Sequence, residues 1–127
     1  MTVSAIIFQI QSILIIATMI YGISQAKKRL LHKKIMSFAM AWDVLLILQI
    51  EFTRHAVEKA ISLTDNSIIL NIHLFLAVTT VLFYPILIIL GRKIISGQKS
   101  LIPIHRLFGR TTIIFRILTF ITSFYVI

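Results

Sequence analysis

The chain has 127 residues, 58% of them hydrophobic, a mean hydropathy of +0.99 and only 13% charged residues. A soluble domain of this size has too little polar surface to cover so much apolar side chain, so the composition points to lipid. The net charge of +9 does not lead to nucleic acid, because the basic residues crowd beside apolar runs and read as topology signals.

The N-terminal stretch MTVSAIIFQIQSILIIATMIYGIS lacks a basic n-region and a small-residue cleavage site, and reads as a retained first helix rather than a signal peptide. Apolar segments follow one another at about 3–24, 35–53, 68–90 and 107–127. Each is long enough to span a bilayer; the second, at about 1.5 Å per residue, reaches roughly 28 Å. The connections are about 10, 14 and 16 residues long, and short links make neighbouring helices antiparallel. The expected object is an all-α, integral membrane, up-and-down four-helix bundle forming a single domain.

Orientation follows from the Lys and Arg distribution. Lys27, Lys28, Arg29, Lys33 and Lys34 sit in the first connection, and Arg92, Lys93, Lys99, Arg106 and Arg110 in or beside the third. The middle connection holds only Arg54 and Lys59, against Glu51, Glu58 and Asp65. The positive-inside rule then places the basic connections in the cytoplasm and both termini outside. Asp65, Asn66 and Ser67 are helix-start types, Gly91 with Arg92 and Lys93 reads as a helix end, and Pro103 suits the first turn of the last helix. Pro85 falls inside the third segment, where it should kink the helix and free a carbonyl. A weak internal repeat is visible: each half is an apolar helix, a basic loop, and a second helix opened by His beside a basic residue, LLHKKIM and IPIHRLFGR.

Four histidines sit near helix ends. By this topology His32 and His105 share the inner mouth, and His55 and His73 the outer. His32 and His55 are 23 residues apart, roughly 34 Å of helix, so they cannot hold one ligand. Asp43 follows His32 by eleven residues and Arg116 follows His105 by eleven. Eleven residues is close to three turns, which sets Asp43 on the face of His32 and Arg116 on the face of His105, both near mid-membrane. Isolated charges at that depth cost at least a few kcal/mol each, so an Asp43–Arg116 ion pair between the second and fourth helices is expected.

That pair would bring His32 towards His105. Two neutral imidazoles on facing helices suit a b-type haem, or half of a copper site. Met36 and Met40 follow His32 along nearly the same stripe, and thioethers with imidazole suit Cu(I); methionine at helical spacing also serves plain packing. At the outer mouth Glu51, His55 and Glu58 stand at i, i+4 and i+7. With His73 they offer two imidazoles and two carboxylates, a set for a harder metal, or His55 and His73 alone as haem ligands. The plainer reading pairs these acids with Arg54, His55 or Lys59 on a wet helix end. The absence of cysteine excludes a disulfide within the chain, a thiolate metal site and covalent c-type haem. G-x-G-x-x-G, P-loop, H-E-x-x-H and G-x-S-x-G motifs are all missing, and no residue pattern supports nucleophilic catalysis.

Over residues 31–127 the pattern of His32 with Met36, then His55, His73, and His105-Arg106 with Arg110 resembles a family of small bacterial membrane proteins, domain of unknown function number 420. That family includes maturation factors for haem-copper cytochrome oxidase. The resemblance implies a part in oxidase assembly, oxidase subunits as partners, and histidines as haem or copper contacts. Asp43 and Arg116 stand outside the family pattern. Three functions follow as expectations: a haem b or copper protein in assembly of, or electron supply to, a respiratory oxidase; a b561-like transmembrane electron-transfer cytochrome; and a metal-free interaction subunit.

Overall fold

The structure, a computed structural model, describes residues 3–54 and 68–126. Helix α1 covers Val3–Ser24, α2 Arg29–Arg54, α3 Ile68–Ile95 and α4 Ile102–Val126, with a short 3-10 turn at Lys99–Leu101 leading into α4. The chain is an all-α four-helix bundle, and all four helices are long and apolar enough to cross a membrane. Their outer faces carry large apolar side chains such as Phe75, 63% exposed, and Leu107, 65% exposed. Only lipid makes such a surface favourable.

The helices outrun the apolar segments. Helix α2 starts at Arg29 rather than near residue 35, so His32 sits inside its first turns, and α4 starts before His105 with Pro103 in its first turn. Helix α3 passes through Pro85 and beyond Gly91 to Ile95, so Gly91 does not end it. The end lies at Gly97, whose φ of 120° only glycine adopts without strain. Gly97 N–H donates to Ile94 O and Gln98 N–H to Lys93 O, the hydrogen-bond pattern of a glycine-terminated helix.

The bundle is built from two hairpins. Helix α1 packs mainly on α2 and α3 mainly on α4, while the hairpins touch each other more sparsely along the α1–α4 and α2–α3 seams. Within the second hairpin Phe83 meets Phe108 edge to face, with centroids 5.2 Å apart, and Phe115 at 6.4 Å. Ile15, Met19, Ala39, Met40, Leu46 and Leu87 form the buried apolar core. Several polar side chains meet across the seam between hairpins.

Candidate functional site

One polar residue from each helix meets at the centre of the bundle. Arg116 on α4 donates from Nε to Asp43 Oδ2 at 3.0 Å and from Nη2 to Asp43 Oδ1 at 3.1 Å, a two-pronged ion pair with α2. Arg116 Nη2 also donates to Ser12 Oγ on α1 at 2.6 Å, and the Tyr84 hydroxyl on α3 donates to Asp43 Oδ2. Asp43 and Tyr84 are 3% exposed, Arg116 5% and Ser12 6%, so the node is dry. Charges at this depth are tolerable only when paired and hydrogen-bonded, and here they are both. The contacts run from one hairpin to the other and so pin the seam. A further cross-seam bond joins Gln9 Nε2 to Ser123 Oγ at 2.7 Å.

The geometry at the basic end is different. There a cavity of about 690 Å³ opens, lined by apolar side chains including Met19, Met36, Met40, Leu87 and Ile113, with Tyr84 also reaching it. His32 and His105 enter it from opposite hairpins, with ring centroids 6.3 Å apart and planes 79° apart. His32 Nδ1–H donates to the Gly22 carbonyl at 2.7 Å, which leaves Nε2 as its lone-pair nitrogen. This is the backbone bond that commonly orients a ligating imidazole. Among the described residues, His105 Nδ1 is the one buried side-chain nitrogen or oxygen with no hydrogen-bond partner.

A glycine makes the His32 position possible, and a second lies beside His105. A Cβ at Gly22 would stand 2.5 Å from Met36 Sδ and 2.9 Å from Ile35 Cγ2, so only glycine lets α1 and α2 close around the His32 bond. A Cβ at Gly91 would lie 3.6 Å from His105 Cε1. In each hairpin, then, a glycine near the end of the first helix faces the histidine that opens the second.

At the opposite end, His73 Nδ1 and Thr122 Oγ1 are 2.7 Å apart. The Thr122 hydroxyl is spent on the Leu118 and Thr119 carbonyls, so His73 is the donor. His55 and Glu58, with Asp65, Asn66 and Ser67, lie outside the described residues. Glu51 is half-buried near the end of α2, roughly 22 Å along the helix from Met36, so these two cannot share a metal. Among the described residues no group of three or more His, Asp or Glu side chains is gathered for a metal ion.

Sequence reasoning found the ion pair and both histidines of the cavity but missed Ser12, Tyr84 and Gly22. Only the glycine left a usable signal, as a small residue near the end of an otherwise bulky helix. Fold and site define a small helical bundle of membrane-spanning length, with a histidine-flanked cavity at its basic end. No family model matches the chain, and neither a curated protein nor a solved structure matches it.

Proposed function

We propose that this chain binds haem b in the basic-end cavity through His32 and His105, and that it serves the assembly of, or electron supply to, a respiratory haem-copper oxidase in a bacterial inner membrane. The carrying observation is the pair of imidazoles at 6.3 Å across an apolar cavity. A ring nitrogen lies about 1.15 Å from the imidazole centroid and a metal–imidazole bond is about 2.0–2.1 Å, so two imidazoles sharing one metal in line stand about 6.4 Å apart. That separation also suits a bare edge-to-face ring contact, so the surroundings decide. A direct ring contact needs neither the Gly22 bond that fixes the His32 tautomer nor a cavity of about 690 Å³. The volume is of cofactor size, within the range of about 300–1,000 Å³ for small-molecule sites, and far exceeds what a bare copper ion fills.

When bound, the haem would supply one-electron redox chemistry. This chain's own residues have narrower tasks. His32 and His105 would hold the iron from two hairpins, the Gly22 carbonyl would keep His32 in its ligating tautomer, and the apolar lining would exclude water. The oxidase part of the reading is supported by the resemblance of the His32, Met36, His55, His73, His105-Arg106 and Arg110 pattern to a family that includes oxidase maturation factors.

The test is an absorption spectrum with metal analysis of the purified chain. A reducible Soret band that His32→Ala or His105→Ala abolishes is expected. Colourless protein carrying stoichiometric copper, or protein carrying neither, contradicts the proposal.

A further inference from the structure

The cavity has a charged mouth. Lys27, Arg29 and Lys33 reach it from the first hairpin, and Arg92, Arg106 and Arg110 from the second, all six exposed. Topology alone asks for basic residues in the connections, not around an opening. Lys28, Lys34, Lys93 and Lys99 satisfy that bias without lining the cavity. Among the described residues none of the six cations has an ion-pair partner. The chain carries four side-chain carboxylates: Asp43, committed to Arg116; Glu51, near the other end of α2; and Glu58 and Asp65, which fall between α2 and α3 in sequence. Like charges held around one mouth repel each other, and an anion seated among them removes that cost. Four of the six are arginines, whose planar fork matches a carboxylate with two hydrogen bonds. Immediately below lie the apolar lining and the two imidazoles.

Resting on the haem reading above, we propose that this collar binds the carboxylate edge of the cofactor, so that the site selects a tetrapyrrole with paired carboxylates turned to the basic end of the bundle. The apolar body then lies between His32 and His105, and charge and apolar surface both find complements. The same collar chemistry would accept the phosphate of an anionic lipid, and the experiment distinguishes the two.

The full chain is placed in phosphatidylcholine discs and titrated with ferric protoporphyrin IX and, separately, with its dimethyl ester, in which both carboxylates are neutralised. The ester is expected to bind about tenfold more weakly than the diacid, a loss of about 1.4 kcal/mol. In the double variant Arg106→Gln/Arg110→Gln, diacid affinity should fall by about tenfold while ester affinity stays within about twofold, the second result also showing that the variant is folded. Equal affinity of the wild-type chain for diacid and ester overturns the collar assignment and leaves the haem reading standing. Binding of neither porphyrin overturns both. If diacid and ester bind equally while the wild-type chain, but not the double variant, retains phosphatidylglycerol from mixed-lipid discs, the collar is assigned to lipid phosphate and the proposal is overturned.

Discussion

The two cross-hairpin sites treat polar atoms in opposite ways. At mid-bundle, Ser12, Asp43, Tyr84 and Arg116 satisfy one another in a buried node. About three turns away, His32 and His105 flank a cavity, and His105 Nδ1 is buried without a partner. A saturated network holds a fold together, whereas an unsaturated one beside a void is where a bundle binds something. Loss of a node residue should therefore cost stability, and loss of a cavity histidine should cost binding.

The largest effect is expected at the node. Asp43→Leu leaves the Arg116 guanidinium buried without its counter-charge and should cost about 3–5 kcal/mol in reversible unfolding of the reconstituted chain. Adding Arg116→Leu should recover much of that loss, because no uncompensated charge then remains. A double variant as unstable as the two single losses added together would show that the pair does not couple the hairpins.

Tyr84→Phe comes next. It removes one hydrogen bond to a buried carboxylate, worth about 1.5–3 kcal/mol in the same unfolding measurement. Because Tyr84 lies at the node edge of the cavity, haem affinity should change much less than stability does. A larger effect on affinity than on stability would merge the two sites into one.

Gly22→Ala sharpens the comparison from the cavity side. The new Cβ would meet Met36 Sδ at 2.5 Å, and overpacking of that kind costs about 1–3 kcal/mol. Met36→Ala in the same chain should relieve the sulfur contact but not that with Ile35 Cγ2 at 2.9 Å, so the His32 orientation, read as the haem spectrum, should recover only in part. The smallest effect on stability is expected from His32→Ala, within about 1 kcal/mol without haem, although haem binding should vanish.

How much of this could be read from sequence depended on chemistry that lipid forbids. Asp43 and Arg116 were legible because a charge at mid-membrane must find a partner, and equal spacing from two histidines put both at one depth. His32 and His105 followed through the same register. Ser12 was not legible, since a small hydroxyl can bond to its own helix, as Thr80 and Thr112 do with Leu76 and Phe108 carbonyls, and nor was Tyr84, whose largely apolar ring reads as plain core packing. Gly91 was misread as a helix end because a glycine before two basic residues has the composition of one, whereas the left-handed stop lies six residues on at Gly97. The cavity had no signal at all, since a void arises from the mutual placement of four helices rather than from any one of them.

Electron paramagnetic resonance of the ferric haem complex tests the central claim most directly. If His32 and His105 both hold the iron, the wild-type chain should give a low-spin signal, and both His32→Ala and His105→Ala should turn it high-spin. A high-spin signal from the wild-type chain, or a low-spin signal that survives either substitution, would contradict the account.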